Sequence, residues 1–503
     1  MWFMMYRKFY LKRWLFLFLF YTMGIFFGGY VVSAQPLEGE VVKDEGMLKT
    51  VQVDVECHSG TPPILEIVLK DSKKLVGGAE IDFDGDGCPE LSISQISGEV
   101  LFRGVPYRRK GRYRLSVSLD TKIGRFKREF TVAFTDFIWG RDNFRFANDG
   151  IYEDNTDFVT ERLFDWVEHR FGSIDERQKL ILLSVMYDIY RGSIGRCYGF
   201  TGGQIYYLNN PDRIPPPSNS VYLISERDEN LKREMDYIQN DIVLSNLLSG
   251  KIKLNIEQTP ETLWEELGII KDSIDRGRLI ILGYISSKMH HSMVVYGYFE
   301  DPSQRKITLL TANNWERDQN NNIFSEDAEN LVVQFNKSGV HMSWLDLTKN
   351  EYRYPLVIFA IQREQNYSFE LSDFLSFLEE KEREVIEEGR IILIVEKTKV
   401  AFVVDGEGRR RGYLNNRYLS EVEGIAFKKI DFNYIFKLPA DRNYRLILKK
   451  RIYNDELNQY KKVNLYAILP LEDSVQTLIY RDIAVDDDRE KVFLVGIDGV
   501  KPI

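Results

Sequence analysis

The residues of this chain best suited to covalent chemistry lie in Gly192-Ser193-Ile194-Gly195-Arg196-Cys197-Tyr198-Gly199-Phe200, where a cysteine follows a flexible glycine-bearing loop. A helix beginning at Cys197 would set its sulfur beside unpaired backbone N–H groups and the positive end of the helix dipole. Both favour thiolate over thiol. The same segment also fits an inert buried cysteine. A base for such a nucleophile is offered by Met289-His290-His291-Ser292-Met293-Val294-Val295-Tyr296-Gly297-Tyr298, in which a histidine heads an apolar strand that would hold the imidazole rigidly. His291, adjoining the strand and followed by a small residue, is the first choice and His290 the second. In Ile307-Thr308-Leu309-Leu310-Thr311-Ala312-Asn313-Asn314-Trp315 another apolar strand ends in an amide and then an aromatic ring. The carbonyl oxygen of Asn313 could accept from the histidine's other N–H and hold the useful tautomer, with Trp315 keeping water from that bond. Taken singly, a histidine at a strand start and an Asn-Asn turn are ordinary structural features. Together the three supply a nucleophile, a base and an orienting group.

A second kind of chemistry is spaced along Asp82-Phe83-Asp84-Gly85-Asp86-Gly87-Cys88-Pro89-Glu90. Asp82, Asp84, Asp86 and Glu90 occupy positions 1, 3, 5 and 9 of a loop whose sixth residue, Gly87, permits a sharp turn. That spacing suits an oxygen-ligated Ca²⁺. It is not a full EF-hand, because position 12 is Ile93, and a plain acidic turn is the alternative. His58, His169 and His341 are scattered without metal spacing and give no zinc site.

The elements around these groups follow from periodicity. From about 48 to 135 apolar residues alternate, as in Val51, Val53, Val55 and Cys57, then Tyr113, Leu115, Val117 and Leu119, then Phe130, Val132 and Phe134. Such strands with Gly-containing turns predict a β-sandwich, immunoglobulin-like, over 48–135. From 136 to 366 the period turns helical and then extended. Phe158, Leu163, Trp166, Val167 and Leu180–Leu183 mark helices; Thr259 and Pro260 open another, with Leu263, Leu267, Ile270 and Ile274 on one face and Gly277 as its stop. Strands are expected at Leu279–Ile285, Met293–Phe299 and Ile307–Thr311, which is an α+β order. The charged stretch Glu379–Glu384 reads as a helical linker with a solvated face over 367–390, and 391–503 as a second β-sandwich beginning with Ile391–Val395 and Val400–Val404. Arg409, Arg410 and Arg411 fall in a tight connection that reads as a surface turn.

Cys, His and Asn in this order, at a helix start, a strand start and a strand end, resemble the papain-like cysteine peptidase superfamily. Gly195-Arg196-Cys197-Tyr198-Gly199 and His291-Ser292-Met293-Val294-Val295-Tyr296-Gly297-Tyr298 are most similar to bacterial C39-like peptidase domains, as is the helix at 260–276 leading into Gly277-Arg278-Leu279-Ile280. The resemblance implies a papain-like central domain of about 225 residues in which His291 takes the proton of Cys197, the thiolate attacks an amide carbonyl, and an acyl-enzyme forms before water releases it. Two departures bear on this. Arg191 stands where a papain-type enzyme has an oxyanion-binding Gln, and Ala312 where C39-like members often have Asp. Asn313 fills the third position on the papain-type alignment. Transglutaminase-like acyl transfer would require an Asp soon after the histidine, and Asp301, ten residues past His291, fits that poorly.

Composition bounds the rest. The 503 residues are 44% hydrophobic and 28% charged, the profile of several folded domains. Arg7, Lys8, Lys12 and Arg13 precede an apolar run from Trp14 to Val32, and Val32-Ser33-Ala34 resembles a cleavage site, so 1–34 reads as a signal peptide or an anchor helix. A secreted, periplasmic or cell-surface location follows, with membrane contact only if that helix is retained. Its removal takes four cations and no anions and moves the formal charge from −9 to −13. An acidic chain is a poor partner for nucleic acid. Of the three cysteines, Cys57 and Cys88 share the early β-rich segment and are either a disulfide or two free thiols. The expectation is therefore an exported peptidase or amidase that needs no cofactor for its chemistry, acts on a peptide or protein, and meets a surface partner through its β-sandwiches. The rival is a non-catalytic binding or adhesion protein on a degenerate papain-like core.

Overall fold

Val55 and Cys57 of β1 (Val51–His58) point inward at alternate positions, and the same alternation builds the other strands of the N-terminal module. The computed structural model describes residues 51–503 apart from 59–61, 72–75, 97, 123, 139–140, 145–160, 190–196, 226–227, 249–257, 286–289, 313–329, 337–338, 347–350, 354–356, 362–369, 431, 452, 455–458, 461 and 486–488. The expected leader or anchor at 1–34, Phe158, Arg191 and Asn313 lie outside the described residues. The chain is a mixed α+β protein with antiparallel sheets stacked as sandwiches, the coarse class expected from its patterning.

β1, β2 (Ile64–Asp71) and β5 (Gly98–Gly104) form one three-stranded layer. β3 (Val76–Asp82), β4 (Leu91–Ile93), β6 (Gly111–Thr121) and β7 (Gly124–Phe134) form the facing one. Ile67 and Leu69 pack in the same buried cluster as Ile81, Leu115, Val117 and Phe130. Helices α1 (Leu163–Phe171), α2 (Glu176–Ile189), α3 (Cys197–Asn209), α4 (Glu229–Leu248) and α5 (Pro260–Asp275) follow. Thr259 caps α5 as its spacing predicts, accepting from the Thr262 N–H, and Leu263, Leu267, Ile270 and Ile274 form its buried face.

β8 (Ile280–Ile285), β9 (His290–Asp301), β10 (Lys306–Ala312), β11 (Asn330–Asn336), β12 (Gly339–Asp346), β13 (Glu351–Arg353) and β14 (Val357–Ile361) complete the middle of the chain. β9 is the axis. β8 pairs with its first half, from His290 to Val295, and leaves the later part of that edge open. β7 fills the opening, pairing Thr131 with Glu300 through Phe134 with Gly297. The second layer of the N-terminal module and the central sheet are thus one continuous sheet. Gly297 allows the contact, since a Cβ there would lie 2.8 Å from the Ala133 carbonyl oxygen. One face of the sheet, with Ile281, Val294 and Tyr296, packs with Cys197, Tyr198 and Ile205 of α3; the other, with Leu282, Tyr284, Met293 and Val295, packs with α5.

The charged segment forms α6 (Leu371–Glu388), which ends at Gly389 in the left-handed region with φ 57°. Its other side is not solvated: Phe374, Leu378 and Val385 are buried, Phe374 stacks on Phe171 at 4.4 Å, and Glu382 pairs with Arg177 at 3.0 Å. Beyond it a five-stranded and a six-stranded sheet face each other. Ile391, Leu393 and Val395 point between these sheets, whereas Ile392 and Ile394 of the same strand join the main core. Burial on both faces explains why this strand reads as an uninterrupted apolar run. Asp405 accepts from the N–H groups of Glu407 and Arg409 and pairs with the Arg409 guanidinium, so the arginine-rich connection is a surface turn.

Candidate active site around Cys197

α3 opens at Cys197, and the first turn of a helix has N–H groups with no partner inside it. Gln239 of α4 takes one of them, accepting from the Gly199 N–H at 2.8 Å. Gly199 and Gly202 let the two helices close: a Cβ at 199 would stand 2.2 Å from the Met235 carbonyl oxygen, and one at 202 would stand 2.4 Å from Ile238 Cγ2. The remaining donors converge on sulfur. The Cys197 thiol is within hydrogen-bonding reach of its own N–H, the Tyr198 N–H, the Ser292 N–H and the Ser292 hydroxyl. Burial is the largest influence and pushes this thiol up to about 11, while the four donors pull the other way. Thr201, one helical turn along, bonds the Cys197 carbonyl oxygen at 2.9 Å and lies 2.9 Å from Ser292 Oγ.

β9 delivers both Ser292 and His291. Pairing sets Ser292 opposite Gly283 and His291 opposite Tyr284, so the pleat sends the Ser292 side chain toward α3 and that of His291 to the other face. The imidazole is fully buried, edge-on to Tyr284 with centroids 5.4 Å apart. The sheet therefore stands between the His291 imidazole and the Cys197 sulfur, so His291, the first choice of base, does not face the thiol. The side chain of His290, the second choice, lies outside the described residues. β10 runs back beside β9, its last residue Ala312 opposite Val294 and fully buried, so no carboxylate occupies that position. Asn313 is the next residue, outside the described range. Asp301 is committed elsewhere, to Arg128 at 2.6 Å and to Ser303 at 2.7 Å.

The acidic loop forms a separate site. Carboxylate oxygens of Asp82, Asp84, Asp86 and Glu90 lie within 4.8 Å of one another. Asp82 is buried and accepts from the N–H groups of Gly85 at 2.6 Å and Gly87 at 3.0 Å, which fixes the turn. Gly85 and Gly87 have φ of 81° and 88°, backbone that side chains resist. An oxygen-only donor set of this kind fits a hard divalent cation. Cys57 is buried and Cys88 exposed, and no disulfide joins the two. His58 neighbours Glu56 and Glu66, and His169 stacks on Tyr237.

Ser292, Thr201 and Gln239 were not singled out in the sequence. The i, i+4 spacing of Cys197 and Thr201 was the available signal for one of them. Gln239 sits in a different helix, and nothing local marks it. No family model matches the chain, and no curated protein matches it.

Proposed function

We propose that this protein is an exported cysteine hydrolase, a peptidase or related amidase, built on a papain-like core with Cys197 as nucleophile. One observation carries the reading: the sulfur sits at the first residue of a helix, where three backbone N–H groups and a hydroxyl converge on it. Inert buried cysteines have no need of such donors, whereas a thiolate does. Because His291 is turned away from α3, the base of this proposal is His290, the second choice of the sequence, with Asn313 its orienting partner. The resting thiol is held neutral by burial, so the proton leaves as the nucleophile attacks. It passes from Sγ to the imidazole, the Sγ–C bond forms at the amide carbonyl, and the imidazolium returns the proton to the departing amine. Water then cleaves the acyl-enzyme. The Cys197 N–H is the donor this proposal assigns to the oxyanion. The β-sandwich faces are left for a surface partner, and Asp82, Asp84, Asp86 and Glu90 for a structural Ca²⁺.

The test is covalent capture. A panel of peptidyl vinyl sulfones of varied side chain is incubated with the protein, and the adducts are mapped by mass spectrometry. Modification at Cys197 that depends on the peptide portion and disappears in His290→Ala supports a hydrolase. Labelling that ignores the peptide, or falls on Cys88 alone, rejects it. One observation favours a second reading, a binding protein on a degenerate core: burial lifts the Cys197 thiol to about 11 despite the donors around it. Under that reading no probe reacts at Cys197 at neutral pH.

A further inference from the structure

Thr201 and Ser292 are sealed from solvent, with exposures of 0% and 1%, so no water competes for their hydroxyl groups. The Thr201 hydroxyl stands 2.9 Å from the Cys197 carbonyl oxygen, 3.3 Å from the Tyr198 carbonyl oxygen and 2.9 Å from Ser292 Oγ. Ser292 Oγ in turn reaches the Cys197 sulfur. A hydroxyl has one proton to give and two lone pairs to receive. Four neighbours and two protons therefore allow two complete arrangements. In one, Thr201 donates to the helix carbonyl, Ser292 donates to Thr201, and the thiol proton points at Ser292 Oγ. In the other, Thr201 donates to Ser292 and Ser292 donates to sulfur, an arrangement only a deprotonated sulfur rewards fully, because a hydrogen bond to an ion is about twice as strong as a neutral one.

We propose that Ser292 and Thr201 form a two-hydroxyl relay that reverses when Cys197 loses its proton, making Ser292 a positioning residue for the nucleophile. The proposal rests on the reading of Cys197 as nucleophile. The proton itself leaves toward the base; the relay moves no proton between heavy atoms and only rotates two O–H bonds. The groups touching sulfur are neutral. Among the described residues, the ionisable groups on the elements packed here include Tyr198 on α3, His291 on β9 and Tyr284 on β8, while on α4 Asp236 is ion-paired with Arg162. None of these replaces the hydroxyl donor.

The experiment is a pH profile of Cys197 alkylation by iodoacetamide, read peptide by peptide in the full-length protein, for wild type, Ser292→Ala and Thr201→Val. Circular dichroism confirms that each variant is folded. Ser292→Ala removes the donor to the thiolate and should move the midpoint up by about one pH unit, a tenfold loss of reactive form at any pH below it. Thr201→Val removes the acceptor that competes with sulfur and should leave the midpoint in place or lower it. A general loosening of the site would shift both variants alike. Equal shifts in one direction, or an unmoved Ser292→Ala profile, overturn the relay. A profile that shows no dependence on His290 but keeps the Ser292 shift removes the hydrolase and leaves the relay standing.

Discussion

Glu396 ends the strand Arg390–Glu396 where the C-terminal sandwich meets α2, and its carboxyl group is fully buried. Tyr187 of α2 donates to Oε1 at 3.2 Å and Tyr466 to Oε2 at 3.1 Å. Beside it Lys428 Nζ donates to the Tyr187 and Asp188 carbonyl oxygens at the end of α2, and Lys437 pairs with Asp188 at 2.6 Å. Burial pushes the Glu396 carboxyl from 4.5 up to about 7, against the opposing pull of Lys397, the two tyrosines and Asn464. Between these two values the native protein keeps a proton that the unfolded chain has released. The stability tied to Glu396 is therefore whole below pH 4.5, declines as pH rises, and is lost through pH 7. A shift of this size corresponds to about 3 kcal/mol at most, with roughly 2–3 kcal/mol of it falling between pH 5 and 8. Glu396→Gln keeps the shape and the hydrogen-bonding oxygen but has no charge to bury. Urea unfolding followed by circular dichroism at pH 5, 6, 7 and 8 should show the variant gaining on wild type by about 2–3 kcal/mol across the series. Parallel curves for the two proteins would mean that Glu396 ionises in the folded state as readily as in the unfolded chain, and the reasoning from burial would fail.

Two more consequences concern packing and the acidic loop. Gly199→Ala forces a Cβ to within 2.2 Å of the Met235 carbonyl oxygen, so α4 must move away from α3; a loss of at least about 1–3 kcal/mol in thermal unfolding is expected. Gly268→Ala, in a helix where nothing lies within 4 Å, should instead gain about 0.5–1 kcal/mol, and equal effects at both positions would contradict the close-packing account. Millimolar Ca²⁺ should raise thermal stability by about 1–3 kcal/mol, an effect abolished by Asp82→Asn or Glu90→Gln. Identical shifts in wild type and variants would leave the loop a plain acidic turn.

What could be read before the structure depended on how local each signal was. α5 was legible because its cap, its first proline, its apolar stripe and its glycine stop lie within one stretch from Thr259 to Gly277. A helix carrying Cys197 was expected from the sequence, and Cys197–Asn209 is one. Pairing of β7 with β9 was not, since it joins Thr131–Phe134 to a strand more than 150 residues away and depends on β8 being short. α6 was read as a linker because Glu379–Glu384 dominates its composition, yet three apolar residues, Phe374, Leu378 and Val385, suffice to bury one side. In the candidate site, alternation along β9 implies that residues 291 and 292 point to opposite faces. Only the placement of α3 shows which face belongs to the sulfur, and so brings Ser292 to it.

The most direct measurement is the rate of Cys197 alkylation by iodoacetamide from pH 5 to 10 in the purified protein, beside His291→Ala and His290→Ala. A nucleophile activated by His290 should be labelled rapidly well below pH 8.5, with that reactivity lost in His290→Ala and kept in His291→Ala. Labelling that rises only toward pH 11, unchanged by either substitution, would show a buried structural thiol and contradict the assignment of Cys197 as a nucleophile.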